Sequence, residues 1–315
     1  MTGPGSGRGS APGAGAPGGG RADLRAALRE AARLLAAAGV PSAEHDARAL
    51  AAHALGIDRL EPALAPTPPA DFFPRFAALV ERRRAREPLQ HIVGTTAFRY
   101  LTLAVRPGVF VPRPETELVA EQAVDEARRV LAVGRAPVVV DLCCGTGAIA
   151  LAVATEVPGA AVTAVDASAA AVALTRENAA ACGAGLAVLA GDATEPTVLA
   201  HLDATVDVVV SNPPYIPPDA VPVDPEVRDH DPALALYGGG PDGLAVPRGV
   251  VARAAALLRD GGLLVMEHAD VQGPGVREAV VATGAFAQVR TLQDLTGRDR
   301  MVLARRVARH THDAT

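Results

Sequence analysis

Val138-Val-Val-Asp-Leu-Cys-Cys-Gly-Thr-Gly-Ala-Ile-Ala150 reads as a buried strand, a tight turn and the start of a helix. Three consecutive valines favour extended backbone. Gly145 and Gly147 accept positive φ and let a ligand come close to the main chain. Gly145-Thr-Gly147-Ala-Ile-Ala150 satisfies the G-x-G-x-x-G/A pattern of dinucleotide sites. Asp166, about 20 residues further on, is where an acid accepts hydrogen bonds from ribose hydroxyls. Nicotinamide dinucleotides and S-adenosylmethionine both carry such a ribose, so the turn alone leaves the two on a par.

Outward from this turn, apolar runs and helical periods alternate. Strands are expected at Val138–Leu142, Ala161–Val165, Leu186–Ala190, Val206–Ser211, Leu263–Glu267, Ala287–Thr291 and Met301–Ala304, with helices between most of them. Such alternation predicts an α/β domain with a mostly parallel sheet covered on both faces. The last two strands lack an intervening helix and can pair antiparallel. Asp141, just before the turn, suits a cationic ligand and would oppose a pyrophosphate. Asp192, at the end of the third strand, can accept from an adenine amino group, although a turn residue would look the same. Ala193 follows it.

Val208-Val-Val-Ser-Asn-Pro-Pro-Tyr215 carries the more specific signal. A hydrophobic strand delivers Asn212 to the C-terminal edge of the sheet, where open α/β folds place ligands. Pro213 and Pro214 stiffen the loop, and Pro213 offers a carbonyl without a competing N–H. A carboxamide or exocyclic NH2 nitrogen is a poor nucleophile because its lone pair is delocalised. The Asn212 side-chain oxygen and the Pro213 carbonyl can hold its two hydrogens, and Tyr215 can pack over the flat group. The nitrogen is then aimed at a methyl sulfonium. Orientation of this kind supplies roughly 7–11 kcal/mol in favourable cases. A nicotinamide enzyme has no need of this loop.

The N-terminal third is different. Residues 1–20 are almost all Gly, Pro, Ala and Ser and are expected to be disordered. Leu24, Leu28, Leu34 and Leu35 recur at helical spacing up to Gly39. Ser42 can cap a second helix that stops at Gly56, and a third runs from about Asp71 to Arg86. The arginines at 82, 83, 84 and 86 read as a solvated face, with a docking patch as the sharper alternative. Phe98–Val105 and Val109–Val111 are expected to form a hairpin around Arg106-Pro-Gly108, and Pro112–Glu117 to open a helix. The domains are therefore 21–92 (helical), 93–113 (hairpin linker) and 114–306 (α/β), with a frayed tail at 307–315.

Composition narrows the function. With 30 basic against 35 acidic residues the net charge is −5, which argues against a nonspecific grip on nucleic acid. Nine Phe and Tyr and no Trp give little for stacking on single strands. Cys143, Cys144 and Cys182 cannot make a disulfide framework or a four-sulfur zinc site, and the two adjacent thiols chelate one metal poorly, so no metal is expected. No apolar run reaches the roughly 20 residues of a membrane span. A monomer in the cytoplasm is expected.

The loop Asn212–Tyr215 on a glycine-turn sheet resembles class I S-adenosylmethionine-dependent methyltransferases that act on planar NH2 nitrogens. Leu89–Gly94, Pro112–Glu117, Asp141–Gly147, Pro225–Pro232, Asp242–Leu244, Glu267-His268 and Gly297–Arg300 narrow the resemblance. From about Arg21 to Arg305 the chain is similar to the peptide chain release factor N5-glutamine methyltransferases of the HemK type. That resemblance implies a Rossmann-like class I methyltransferase domain with a seven-stranded sheet, an N-terminal all-helical domain for substrate recognition and a β-hairpin linker. It implies S-adenosylmethionine as cofactor and, as substrate, the glutamine of the Gly-Gly-Gln loop of class 1 release factors. The cofactor turn falls on Cys143, Cys144, Gly145, Thr146 and Gly147, with Asp141 before it. The ribose acid falls on Asp166, and the adenine region on Asp192 and Ala193. The glutamine site falls on Asn212, Pro213, Pro214 and Tyr215, with Asn212 also near the methionyl end. Two features depart from the family. Cysteines occupy positions 143 and 144, where glycine is frequent, and Ala193 stands where an aromatic often stacks. A ribosomal-protein glutamine methyltransferase shares the loop. A base-amino methyltransferase would bring a basic, aromatic recognition domain.

Overall fold

The computed structural model describes residues 20–61 and 66–308. The expected disorder of residues 1–20 therefore lies, apart from Gly20, outside the described residues, as do residues 309–315 of the tail. The chain divides into two compact units between Val93 and Gly94.

The first unit is helical: α1 (Arg21–Ala37), α2 (Ala43–Leu55), α3 (Phe72–Arg84) and α4 (Leu89–Val93). The leucines read at helical spacing do face inward. Leu24, Leu35 and Leu50 are buried with Phe72, Phe76, Val80 and Ile92, each worth about 1.5–3 kcal/mol when fully removed from water. Gly56 closes α2 in the left-handed conformation, as its position suggests. Ser42 does not cap with its side chain. Its hydroxyl instead donates to Asp46 Oδ1 at 2.8 Å, because Asp46 is committed to a buried ion pair with Arg83 at 2.7 Å. The arginine run is not a free basic face. Arg82 pairs with Glu87, Arg84 with Glu81, and Arg86 donates to the Gly39 carbonyl.

The second unit opens on β1 (Thr95–Phe98) and β2 (Leu101–Ala104), an antiparallel hairpin. The expected hairpin around Arg106–Gly108 is thus displaced, and Val109–Val111 forms no strand. Arg99 makes the turn with φ +50°, which its sequence does not announce. Tertiary contacts hold it there. Glu117 accepts from the Arg99 N–H at 3.0 Å, and the guanidinium pairs with Glu156. Asn178 locks the hairpin down, accepting from Ala104 N and donating to Ala104 O and Thr146 O.

The elements that follow are α5 (Thr116–Ala132), β3 (Val138–Leu142), α6 (Ala148–Glu156), β4 (Ala161–Asp166), α7 (Ala169–Cys182), β5 (Ala187–Ala190) and β6 (Val206–Ser211). After them come α8 (Pro225–His230), α9 (Ala233–Leu236), α10 (Ala245–Leu257), β7 (Leu258–Glu267), α11 (Gly273–Ala282), β8 (Phe286–Gln293) and β9 (Asp299–Arg306). All seven expected strands form one sheet in the order β5-β4-β3-β6-β7-β9-β8. β3 to β7 run parallel, and β9 is antiparallel to both β7 and β8. Successive side chains point to opposite faces. Val139, Val208 and Val210 accordingly pack with α5 and α6, while Val140 and Val209 pack with α10 and α11. The strand order reverses between β3 and β6, and Leu142 is level with Ser211. This register brings the glycine turn and the Asn212 loop side by side at a topological switch point, where ligands of such sheets bind.

Candidate active site

A 540 Å³ cavity opens at that edge, within the size range of small-molecule sites. Its lining includes Cys143, Cys144, Gly145, Thr146, Asp166, Asp192, Ala193 and Asn212 to Tyr215. Eleven of the residues singled out from sequence thus converge on one wall. Asp141 and Gly147 do not line it. Asp141 is fully buried, and its Oδ2 accepts from Ala150 N at 3.1 Å at the start of α6. The reading of Asp141 as a direct partner of a cationic ligand is revised: it braces the turn and occupies the helix N-terminus that a pyrophosphate would need. Burial pushes its carboxyl up to about 8, opposed by the Ala150 N–H and reinforced by Asp166. Gly147, at φ +81°, faces Thr175, and a Cβ there would stand 2.7 Å from Thr175 Cγ2. It is needed for helix packing rather than for an approach by the ligand.

Cys143 takes φ +65°, a left-handed conformation that costs a non-glycine residue about 1–3 kcal/mol. Cys143→Gly should therefore keep urea-unfolding stability within about 1 kcal/mol, the relief offsetting the extra chain entropy. Cys143→Val should lose about 1–3 kcal/mol, because branching at Cβ makes that conformation worse. Cys144 is buried against Thr175, with Sγ 3.6 Å from Oγ1. Burial raises both thiols, which does not suit a reactive or metal-binding pair.

Asp166 accepts from Gly145 N and Ser168 N, both at 2.8 Å, one on each oxygen. A carboxylate has about four acceptor sites, so it is held rigidly and can still take two hydroxyls. Desolvation raises its pKa, and those two N–H groups pull it back. Asp192 Oδ1 accepts from Thr194 N and Oγ1. It is a turn residue and a cavity residue at once. Among the described residues lining the cavity are four carboxylates (Glu115, Asp166, Asp192 and Asp224) and one cationic side chain, Arg113. Arg113 is paired with Asp231 and lies 4.8 Å over the Phe110 ring. This wall favours a cationic ligand over a dinucleotide pyrophosphate.

The loop after β6 is splinted on several sides. Ile216 N donates to Leu236 O at 2.8 Å and Gly238 N to Ile216 O at 3.0 Å. Gln272 Nε2 donates to Tyr215 O at 2.8 Å and to Asp242 O at 3.0 Å. Gly238 and Gly243 press on the loop's main chain with no room for a Cβ. The stretch Gly238–Gly243, glycine-rich enough to be either a plain connector or a border of the site, is a buttress. Asn212 Nδ2 donates to Thr116 Oγ1 at 3.3 Å, and that hydroxyl donates to Glu267 Oε2 at 2.8 Å. Thr116 and Glu267 are both buried. Desolvation pushes Glu267 up to about 7, against the pull of Thr116, Arg300 and the Tyr215 hydroxyl. Burial, with the Glu267 charge, also raises the Tyr215 phenol. His268, quoted with Glu267 as a motif, is a buried structural residue bonded through Nδ1 to Ala269 O. Sequence reasoning singled out neither Thr116 nor Gln272. Only the motifs Pro112–Glu117, Asp242–Leu244 and Glu267-His268 hinted at them.

Comparison with known proteins agrees with this architecture. Residues 26–94 match the family described as the PrmC N-terminal domain, and residues 107–223 the methyltransferase small domain. The release factor glutamine methyltransferase of Mycolicibacterium smegmatis is 51% identical over 91% of this chain and 99% of its own. Its counterpart in Streptomyces coelicolor is 49% identical, covering 90% and 98%. That of Bifidobacterium longum is 44% identical, covering 88% and 97%. With half its residues shared over nearly the full length of these relatives, the chain belongs to the release factor glutamine methyltransferase family.

Proposed function

We propose that this protein transfers a methyl group from S-adenosylmethionine to the side-chain amide nitrogen of the glutamine in the Gly-Gly-Gln loop of class 1 release factors. The observation that carries this reading is the continuity of an acid-walled cavity with a rigid loop that presents Asn212 and the Pro213 carbonyl. The names of the relatives support the substrate.

The donor set fits the cofactor. Asp166 is held for two ribose hydroxyls, and Asp192 stands where it can accept an amino group. Ala193, 4% exposed, leaves a flat apolar wall where an aromatic would stack. The carboxylates favour a molecule carrying ammonium and sulfonium charges. When bound, S-adenosylmethionine supplies an electrophilic methyl. The protein's own part is to orient the acceptor. Asn212 Oδ1 and Pro213 O each accept one N–H of the glutamine amide, which holds its nitrogen on the line of attack. Tyr215 covers the amide plane. Transfer would form a carbon–nitrogen bond as the donor's carbon–sulfur bond breaks, and the nitrogen would then shed one proton to water. No strong base is required before attack, and none of the cavity residues is placed as one. This division of labour makes orientation the main contribution of the protein, a term of roughly 7–11 kcal/mol at best.

We further read the enzyme as a cytoplasmic monomer without a stable nucleic-acid partner. Free cysteines and a net charge of −5 support that reading. Among the described residues no helix is long and apolar enough to cross a membrane. The decisive experiment incubates the purified chain with labelled S-adenosylmethionine and a class 1 release factor, then with the release factor's Gln→Ala loop variant. Label should enter the first and not the second. Label persisting on the alanine variant would remove glutamine as the acceptor.

A further inference from the structure

The carboxamide of an asparagine has two ends of nearly equal size and opposite hydrogen-bonding sense. For glutamine methylation only one orientation is useful. With Oδ1 toward the substrate, Asn212 accepts an N–H. With Nδ2 there, two donors face each other and the amide is repelled. Nothing in the Asn212-Pro-Pro-Tyr215 loop itself chooses between these orientations, because the prolines have no N–H and the Tyr215 carbonyl is already bonded to Gln272.

We propose that Thr116 and Glu267 are positioning residues that set the Asn212 carboxamide with Nδ2 inward and Oδ1 toward the substrate. The inference rests on the methyl-transfer reading above. Three separate elements meet to make the chain of bonds. Thr116 is the first residue of α5, Glu267 the last of β7, and Asn212 follows the last residue of β6. β6 and β7 are paired, with Ser211 level with Met266, so Asn212 and Glu267 leave the sheet edge together. In its charged form, which the Thr116 hydroxyl and Arg300 favour, the Glu267 carboxylate only accepts. The single hydroxyl proton of Thr116 therefore goes to Glu267, 2.8 Å away. Its remaining lone pairs can only accept, and the group 3.3 Å away must be the N–H end of Asn212. Both supporting side chains are buried, at 3% and 1% exposure. Water cannot easily substitute for either. The Tyr215 phenol also interacts with this carboxylate, so one buried acid is coupled to both polar side chains proposed to face the substrate amide.

The test is kinetic, with cofactor affinity as a second readout. Thr116→Val keeps the shape and removes the hydroxyl. Its kcat on the release factor should fall roughly 10- to 100-fold, as expected of a misaligned catalytic group. The Kd for S-adenosylmethionine, measured calorimetrically, should stay within about twofold of wild type if the fold is intact and only the amide has turned. Thr116→Ser restores the hydroxyl and should recover kcat to within about threefold. Glu267→Gln, able to donate to Thr116 and so reverse its hydroxyl, should resemble Thr116→Val. The double variant should be little worse than either single one, since all three break the same chain. Wild-type kcat in Thr116→Val, equal loss in Thr116→Ser, or strict additivity in the double variant would overturn the proposal. A wild-type enzyme that labels no release factor would instead remove the parent reading, and this one with it.

Discussion

Asn212→Ala should lower the kcat of glutamine methylation by about 10²–10³-fold, the loss typical of removing one preorganised hydrogen-bonding group from a polar catalytic site. In the proposed reading Asn212 is one of two acceptors for the substrate amide, and the other, the Pro213 carbonyl, is a main-chain group that the substitution leaves in place. With one acceptor gone the amide can swing about the remaining bond, and its nitrogen leaves the line of attack for most of the time. The same substitution removes a donor from Thr116, whose hydroxyl keeps its bond to Glu267. No buried charge is stranded, and the fold should survive. S-adenosylmethionine should still bind within about threefold, because Asp166 and the turn at Cys143–Gly145 keep their own bonds. Single-turnover methylation alongside calorimetric cofactor binding measures both quantities. Near-normal single-turnover rates would show that Asn212 does not hold the acceptor. Asn212→Asp retains an oxygen but loses the N–H toward Thr116, so its rate should fall between wild type and alanine.

Much of this site is legible in the sequence because it is carried by backbone. A valine run ended by a glycine turn, and a second ended by Asn-Pro-Pro-Tyr, fix where two parallel strands stop. Parallel pairing in register then puts their ends together. The acids at 166 and 192 follow from their positions at strand ends. What the sequence does not disclose is carried by long-range side-chain bonds. Asp141 lies on the strand that leads to the cavity, yet burial against α6 turns it away from the ligand. The Arg99 turn depends on Glu117 and Glu156, 18 and 57 residues away. The arginines at 82 to 86 look like a charged face because their partners are scattered over the α1–α2 connection, α2, the helix itself and the loop beyond it. Thr116 and Glu267 are separated by 151 residues, and no local pattern connects them. Glycine is the most ambiguous of all. In Gly238–Gly243 the same residue type that signals a slack connector serves two tightly packed contacts.

Those contacts make the second large effect. Gly238→Ala and Gly243→Ala should each cut kcat by about 10²-fold, the cost of displacing catalytic groups by roughly an ångström, and should also lower stability. A Cβ on Gly238 would stand 2.6 Å from Pro214 O and 2.8 Å from Tyr215 Cα, and closer still to Gly243 O. On Gly243 it would meet Pro217 N at 2.7 Å and Ile216 C at 2.8 Å, with Tyr215 O nearer again. All of these are main-chain atoms, which cannot swing aside as the tip of a side chain can. The loop itself must move, and it is the loop proposed to hold the substrate amide. Overpacking of this kind costs typically about 1–3 kcal/mol. Gly243 adds a left-handed φ of +74°, worth roughly another 1–3 kcal/mol for alanine. Melting temperatures should drop by about 2–4 °C for each kcal/mol lost in a domain of this size, and further for Gly243→Ala than for Gly238→Ala. Gly240→Ala separates backbone strain from loop displacement. It has φ +69°, but the nearest atom to its Cβ is 3.5 Å away, so it should lose stability while kcat stays within about threefold of wild type. If Gly243→Ala melted early yet methylated at the wild-type rate, the buttress would be structural only, and the rigidity assigned to the Asn212–Tyr215 loop would have to come from the prolines and Gln272 alone.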